Sequence, residues 1–486
     1  MRILFFNLLN KSLLIGCSLV ASITLFLPIN SQAASDSVTL EELINRALSS
    51  YPAVLSRQAS KDAASSDVTV AKLRFLPTPS LNSQLNNLQY DSQTNNQISS
   101  SQTPSANITV TQPIWAGGGL VAGYDKANAR LTAADFALLE TKEDVSRRLI
   151  TAYAEWYKAY HKIQVLKENV LVHEKLVSLI THRFEKGVAS GADKDLGLSR
   201  LLQAQADLQS QRVQEESALV TIAELIGEPV TSQQLIGKIA SYVELPQRAE
   251  LIPKALAGSV TLQRYKSEAE AAEAEALEVN AQSLPQVSFQ VQRQFNNAYY
   301  PNSPGFTAMG VVVGYSPGAG LSSFVAAKSA EDRARAAVLQ IDLAKSQLVE
   351  RLNTEYNEYE FSLLKRENLR RSVSLSRDIQ ESYDRQYLVG RKSWIDLMNT
   401  VRERAQTNVT LVDIDGNILG TSRRLLVYLA GAEAELSSDL SVEQYPEKPA
   451  QLLDFDLEKV IEERVDRYQF WNATNPVVKS KRHRTR

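Results

Sequence analysis

The feature that most constrains this chain is a pair of very long segments without glycine or proline. They cover residues 124–186 and 321–389, which is 63 and 69 residues. Glycine and proline are the residues least suited to a helix interior, so each segment predicts one uninterrupted helix. At about 1.5 Å per residue these helices would be roughly 95 to 105 Å long, several times the usual helix of a globular protein. A single compact domain has no use for helices of this length.

The two long segments belong to two copies of one larger unit. Four residue pairs are separated by the same 203 positions: Tyr153 and Tyr356, Gly187 and Gly390, Ser190 and Ser393, and Asp193 and Asp396. A constant offset predicts a duplicated unit of roughly 200 residues, far longer than a solenoid repeat. The function is therefore expected from what the two copies build together.

The N-terminus has the pattern of a secretory signal peptide. Basic residues precede an apolar run over residues 13–27, and Ser-Gln-Ala at residues 31–33 forms a small-residue cleavage site, so residues 1–33 are expected to be removed. This cleavage would also remove Cys17, the only cysteine. An alternative is lipoprotein processing at Cys17, because residues 14–17 (Leu-Ile-Gly-Cys) resemble a lipoprotein cleavage box.

The composition excludes several classes of protein. With 44% apolar and 22% charged residues, the chain is neither disordered nor a bundle of apolar membrane helices. Its 53 basic and 55 acidic side chains are nearly balanced, so no nucleic acid or other polyanion is expected as a partner.

Four segments near the long helices have the period of β-strands. They lie at about 79–89, 104–114, 286–295 and 307–315; in the third, Val287, Phe289 and Val291 alternate with polar residues. Each has about the ten residues that a tilted transmembrane strand needs. A small water-exposed sheet is the alternative. Four strands are too few to close an outer-membrane barrel, which starts at about eight, so a membrane role predicts an oligomer in which three copies supply twelve strands.

The first long helix carries an apolar stripe with spacings of three and four residues. The stripe comprises Leu149, Ala152, Trp156, Ala159, Ile163, Leu166, Val170, His173, Val177, Ile180 and Phe184. Such a stripe is typical of paired or supercoiled helices. Shorter helical segments are predicted at about 52–75 and 192–226 in the first copy, and at 259–284 and 391–430 in the second. Each long helix is thus expected to pair with two shorter ones.

Each long helix ends at a glycine that is followed by an acidic residue. Gly187 precedes Asp193, and Gly390 precedes Asp396. Glycine permits the left-handed turn after a helix, and an acidic side chain complements the dipole of the next helix. This purely structural explanation would by itself account for both motifs.

Over residues 38–431, the order of these features resembles the TolC family of outer-membrane exit ducts. The order is a hairpin, a glycine-rich turn, a long helix, an Arg-Phe-x-x-Gly turn and a return helix, and it occurs twice. The resemblance implies a mainly α-helical fold with a transmembrane β-barrel: long antiparallel helices form a periplasmic α-barrel, and a homotrimer closes a twelve-stranded barrel. The two repeats would cover residues 34–240 and 241–435, and residues 436–486 would form a C-terminal extension with a basic tail.

The resemblance also implies a closing site at the inner end of the helices. Tyr387 and Asp193 match positions that form constricting contacts, and Asp396 matches an aspartate ring. Three positions depart from the family pattern: Lys392 stands where arginine is common, Asn399 where a second aspartate ring can occur, and Ala192 in place of a hydroxyl residue. Lysine cannot make the forked bond of arginine, so a closing link through Lys392 should be weaker.

The function implied by the resemblance is passive export from a Gram-negative cell, with the channel in the outer membrane and extending into the periplasm. The implied partners are two further copies of the chain, outer-membrane lipid, a periplasmic adaptor, and an inner-membrane ABC transporter or proton-driven pump. General similarity favours type I secretion of protein adhesins, and multidrug or small-molecule efflux is the alternative. A periplasmic coiled-coil adaptor or structural protein is the alternative of another class, but it would lack the four amphipathic strands.

No enzyme, metal site or cofactor is predicted. Gly117, Gly119 and Gly123 open a helix after a strand, but a dinucleotide site needs a short βαβ unit and not a helix of 63 residues. The four histidines form no pair with i, i+4 spacing, and no catalytic Ser-His-Asp or paired-carboxylate pattern is present.

Overall fold

A computed structural model describes residues 37–89, 100–236, 239–295, 305–388 and 391–431. The predicted signal peptide, the C-terminal extension and Gly390 lie outside these residues.

Two helices of 67 residues each dominate the fold. They are α3, Gly119–Glu185, and α8, Ser322–Leu388. Each long helix is followed by a partner helix of 36 or 37 residues, α4 (Gly191–Ile226) after α3 and α9 (Trp394–Ala430) after α8. Two helices of 22 residues, α2 (Pro52–Leu73) and α7 (Val260–Ala281), precede the two pairs of strands. The sequence pattern does not predict three further short helices: α1 (Leu40–Ser50), α5 (Ser232–Ile236) and α6 (Arg248–Gly258).

The long helices and their partners form one layer. Helix α3 packs against α4 on one side and α9 on the other, and α8 packs on the far side of α9. Helix α2 packs against α3 on the same side as α4, further along α3. Helix α7 packs between α3 and α8, as α9 does, further along both helices. Each long helix therefore packs against two shorter ones that follow each other along its length, in agreement with the pairing predicted from the sequence.

The short helices cover one face of this layer near its middle. Trp156 of α3 is buried and its indole Nε1 donates to the Ser232 hydroxyl at 2.8 Å, while the Tyr153 hydroxyl accepts from the Ala240 amide at 3.1 Å. On α8, the Tyr356 hydroxyl donates to the Pro246 carbonyl at 3.2 Å. We call this side, which carries α1 and residues 228–236 and 239–258, the outer face.

The predicted apolar stripe of α3 is buried along most of its length. Leu149, Trp156 and Ile163 are at most 3% exposed. Phe184, at the end of the stripe, is instead 40% exposed and lies under the Lys194 ammonium at 5.2 Å. It sits in the last turn of α3, so the helix offers no further turn to cover it.

The four strands form one antiparallel sheet in the order β1-β2-β3-β4. They are β1 (Thr78–Gln89), β2 (Ser100–Trp115), β3 (Gln286–Gln294) and β4 (Thr307–Gly314). The pairing of β2 with β3 joins the two repeats, and its register shifts between Pro113 and Trp115. Strands β1 and β4 are the two edges of this sheet.

Among the described residues, none of the helices combines the length and the hydropathy that a membrane-crossing helix needs.

Candidate functional site

The first hairpin tip is the turn between α3 and α4. Gly187 has φ +73°, a left-handed conformation in which a side chain would be strained. Ser190 caps α4: its hydroxyl oxygen accepts from the Asp193 amide at 3.1 Å and its hydroxyl donates to the Asp193 carboxylate at 2.8 Å. Asp193 is thus held in the first turn of α4.

The second hairpin tip repeats this arrangement between α8 and α9. The Asp396 amide donates to the Ser393 hydroxyl oxygen at 3.2 Å, and the Ser393 amide donates to the Asp396 carboxylate at 3.3 Å, which completes a capping box. The hydrogen bonds that the Asp396 carboxylate accepts from Ser393 hold its pKa below the usual range, and the charge of Lys392 lowers it further. A carboxylate in this position keeps its negative charge.

Tyr387 joins the two hairpins, but not through Asp193. Its ring is buried, lies 4.9 Å from the Arg183 guanidinium at the end of α3, and packs at 5.6 Å against the ring of Trp394. In the described chain Asp193 bonds to Ser190 and makes no hydrogen bond to Tyr387. Within one protomer, Tyr387 therefore contacts the end of α3 through a cation–π contact with Arg183.

Lys392 and Asn399 lie on the second hairpin. The Lys392 ammonium lies 4.3 Å from the centre of the Tyr383 ring, so it contacts its own hairpin. Asn399 is exposed one helical turn after Asp396. Because Leu397 and Met398 are buried, Asp396 and Asn399 share the side of α9 that points away from the protomer core.

Two contacts at the tip were not predicted from the sequence. Trp394 is buried against α3 and α4, where a Cβ on Gly197 would lie 3.3 Å from its ring. Further along the helices, the Arg404 guanidinium donates to Glu168 of α3 at 2.8 Å and to Gln380 of α8 at 3.0 Å. For the first of these contacts the sequence does contain a signal, the tryptophan directly after the Ser393 cap. A large apolar residue in the first turn of a helix needs a neighbour to cover it, so its burial against another helix could have been predicted.

One face of the sheet is mainly apolar, with Arg293 as its charged member on β3, and it is uncovered in a single chain. The register aligns Val110 with Val291 and Val291 with Met309 across three strands. Met309 is 73% exposed and Leu81, on β1, is 70% exposed. The next row on the other face is uncharged and polar, with Ser80 beside Thr109 and Thr109 beside Gln292. Exposed apolar area of this kind marks an interaction surface.

The two lateral edges of the helical layer also carry apolar stripes. On α4, Leu202, Val213 and Val220 are exposed, and at 100° per residue they lie opposite the buried Ala204 and Ile222. The corresponding stripe of α8 lies opposite the buried Leu352 and comprises Leu339, Leu343, Phe361, Leu364, Leu375 and Ile379. We call these the α4 edge and the α8 edge.

No metal centre is present in the described parts of the chain, where no three His, Cys, Asp or Glu side chains are placed to hold an ion.

The comparisons with known proteins agree with this architecture. Residues 43–228, from α1 to just past α4, match the family model described as outer membrane efflux protein. No curated protein matches the chain in sequence. The solved outer membrane protein VceC from Vibrio cholerae has a TM-score of 0.70 at 16% identity, over 81% of this chain and 96% of that one.

Two further solved channels have the same fold. The outer-membrane channel OprN gives a TM-score of 0.69 at 15% identity, over 81% of this chain and 90% of that one. The CmeC outer membrane channel from Campylobacter jejuni gives 0.65 at 13% identity, over 81% and 86%. The resemblance to TolC-type channels predicted from the sequence is confirmed, and so is the mainly helical fold with a few strands.

Proposed function

We propose that three copies of this chain form a passive outer-membrane exit channel of a Gram-negative bacterium. The observation that carries the proposal is the apolar surface left open in one copy: the sheet face and both lateral edges. A chain that worked as a monomer would expose all three to water, at a cost of roughly 25 cal/mol for each Å² left uncovered.

The arrangement of these surfaces supports a closed ring. The α4 edge and the α8 edge are different surfaces on opposite sides of the layer, so they would meet head to tail, and such contacts close into a ring when the rotation allows it. The open edges of β1 and β4 would meet in the same way. Three copies would then give twelve strands, within the range of known membrane barrels.

The apolar sheet face supports placement in the outer membrane. In the ring this face would contact lipid, and the uncharged polar face with Thr109 and Gln292 would line the lumen. Helices of 67 residues, about 100 Å long, would extend the duct into the periplasm.

The hairpin tips would form the periplasmic aperture. We place Asp396 and Asn399 there because they lie on the side of α9 that the protomer core leaves free. Tyr387 would hold the two hairpins of a protomer together in the closed arrangement, and opening would require its contact with Arg183 to break. Asp193 and Lys392, which contact only their own hairpins in the described chain, would take part through contacts with the neighbouring copy. A periplasmic adaptor that binds the open arrangement better would shift this equilibrium.

The proposed partners are an adaptor and an inner-membrane pump, which would supply the energy for export. The description of the matched family as efflux proteins favours small-molecule efflux with a proton-driven pump. Adhesin secretion with an ABC transporter, which the sequence favoured, is the second candidate. Deleting the gene and measuring both drug sensitivity and surface protein separates the two.

A periplasmic adaptor or structural coiled coil is the competing class. The four-stranded sheet with an exposed apolar face weighs against it, because such a protein has no use for a lipid-facing surface.

Two measurements on the detergent-purified full chain test the proposal. Unboiled protein should migrate as a trimer on a native gel, and it should give discrete conductance steps in a planar bilayer. A monomer that stays in solution without detergent and gives no conductance would overturn the proposal.

A further inference from the structure

The helical layer has a second face, opposite the outer face. Leu149, Tyr153 and Trp156 of α3 point to the outer face, where the short helices cover them. At 100° per residue, Thr151, Lys158 and Lys162 lie about half a turn away from them. We call this opposite side the inner face.

A groove of about 630 Å³ lies on the inner face near the middle of the layer. Residues of α3, α4, α8 and α9 line it, so all four neighbouring helices curve around one space. The volume is in the range of pockets that hold small molecules.

The charged residues of this groove are mostly basic. Two are acidic, Glu155 and Glu355, and six are basic: Arg147, Arg148, Lys158, Lys162, Arg351 and Arg424. Hydroxyl groups of Thr151, Ser217 and Thr221 also line the groove. The whole chain is nearly neutral, so this excess of positive charge is local.

Four of the six cations are paired with carboxylates. The ion pairs are Lys158 with Glu155 at 2.7 Å, Arg424 with Glu355 at 3.3 Å, Lys162 with Asp413 at 2.5 Å, and Arg147 with Glu143 at 3.5 Å.

Arg148 and Arg351 differ from these four. In the part of the chain that the structure describes, no carboxylate lies within 4 Å of either guanidinium. Arg148 donates to the Tyr51 hydroxyl at 3.1 Å. Arg351 interacts with the Tyr428 hydroxyl, and the more distant carboxylates of Glu355 and Asp144 also raise the pKa of Arg351 without forming an ion pair with it. One stands on α3 and the other on α8, so they lie on different walls of the groove.

We propose that this groove binds anionic groups of the exported cargo, with Arg148 and Arg351 as the contacting cations. A guanidinium presents several donors in a plane that fits carboxylate and phosphate oxygens, and neither group has to give up a carboxylate partner first. A cleft lined by one sign of charge also concentrates ions of the opposite sign. The identity of the ligand as exported cargo depends on the proposed channel function, whereas the binding of an anion in the groove does not depend on it.

Binding of inositol hexakisphosphate, used as a polyanionic probe, tests the groove directly. Isothermal titration of the detergent-purified full chain at about 50 mM salt should show binding that weakens strongly at about 500 mM, because salt screens exposed charges. The double variant Arg148→Gln/Arg351→Gln should bind roughly tenfold more weakly or worse, since two cations facing the ligand are lost. Absent binding to the unmodified chain, or equal binding to the double variant, would overturn the proposal.

A matched control removes two cations from the outer face. Lys254 lies on α6, and Lys167 lies 18 residues, or five helical turns, after Leu149 on the same side of α3. Lys167→Gln/Lys254→Gln should bind the probe like the unmodified chain. Arg148→Lys/Arg351→Lys, which keeps the charge, should retain most of the binding. An equal loss in the outer-face variant would show a nonspecific charge effect and reject the groove.

Bilayer recordings separate this inference from the proposed function. Added to a conducting channel, the probe should reduce the current, and the Arg148→Gln/Arg351→Gln channel should conduct with much less block. A conducting channel with unchanged block would reject the groove as part of the cargo path and leave the channel proposal standing. Probe binding without conductance would reject the channel and with it the assignment of the ligand as cargo.

Discussion

Glu143 is a buried carboxyl group on α3, beside the ends of α7 and α9. It is 9% exposed and lies 3.5 Å from the Arg147 guanidinium. Burial raises its pKa from 4.5 to about 7, although Arg147 acts in the opposite direction. The unfolded chain therefore releases this proton at a lower pH than the folded chain does. Between about pH 4.5 and 7 the folded state binds more protons, so the stability contributed by this group falls as the pH rises.

Glu143→Gln should accordingly stabilise the protein at pH 8 and change little at pH 5. The upper limit of the gain is on the order of 3 kcal/mol, from the size of the pKa shift. Thermal unfolding of the purified protein at both pH values measures it. Glu174→Gln, an exposed carboxylate on the same helix, should show no such pH dependence. A gain for Glu143→Gln that is equal at both pH values would contradict the assignment.

Asp396 is the residue at which charge at the tip can be tested without loss of the helix cap. Asn can still accept the hydrogen bond from the Ser393 amide, so Asp396→Asn removes the charge and keeps the capping box. In a trimer three carboxylates would share one aperture, and a ring of negative charge favours cations. We expect Asp396→Asn to lower the cation preference, measured as the reversal potential under a salt gradient in a planar bilayer.

The control for this variant is a carboxylate on the outer side of the layer. Glu228 lies 3.3 Å from Arg46 of α1, and Glu228→Gln should leave the reversal potential unchanged. A reversal potential for Asp396→Asn equal to that of the unmodified channel would reject the aspartate ring. In such a ring, repulsion between the three carboxylates would raise the pKa of Asp396, whereas the hydrogen bonds from Ser393 lower it. This rise in the trimer stays a prediction.

At the scale of elements, the helix ends were predictable because local chemistry fixes them. Ser190 and Ser393 each cap the next helix, and Gly187 supplies the left-handed turn. The strands were predictable from their period of two. The three short helices α1, α5 and α6 were not, because they are short and become stable only by packing on α3, α8 and α9.

The α4 edge provides the test at this scale. Leu202 is 57% exposed on the α4 edge, and Leu171 is 56% exposed on α3, in the middle of the layer. Leu202→Asp should convert a large share of the trimer to monomer, because a buried, unpaired carboxylate would face the α8 edge of the next copy. Native gels of the unboiled protein measure this. Leu171→Asp should remain trimeric; dissociation of both variants, or of neither, would contradict the assigned edge.

For the whole molecule, the length of α3 and α8 sets the size of the particle. Each helix has 67 residues and the sheet continues beyond them, so a trimer should be clearly longer than about 100 Å along one axis. Electron microscopy of the purified trimer should show an elongated particle with threefold symmetry. A compact particle shorter than its own helices would contradict the proposed ring.

The sequence by itself determined the long helices, their main partners, the strands and the repetition of these elements. Four patterns can be recognised without a structure because they depend on residues close together in the chain. They are the runs free of glycine and proline, the apolar stripe of α3, the strand period and the capped turns. The family resemblance also followed from their order. The tip residues Asp193, Tyr387, Lys392, Asp396 and Asn399 came from that resemblance, and their role in gating stays a proposal.

Only the tertiary structure decided which side chains meet. Tyr387 contacts Arg183 and not Asp193, and Arg148 and Arg351 face one groove although they are 203 positions apart in sequence. The nearly neutral composition concealed this basic groove, because composition sums charge over the chain whereas a groove depends on which charges the packing brings to one face. Contacts between distant residues depend on helix rotation and layer order, and local sequence patterns fix neither.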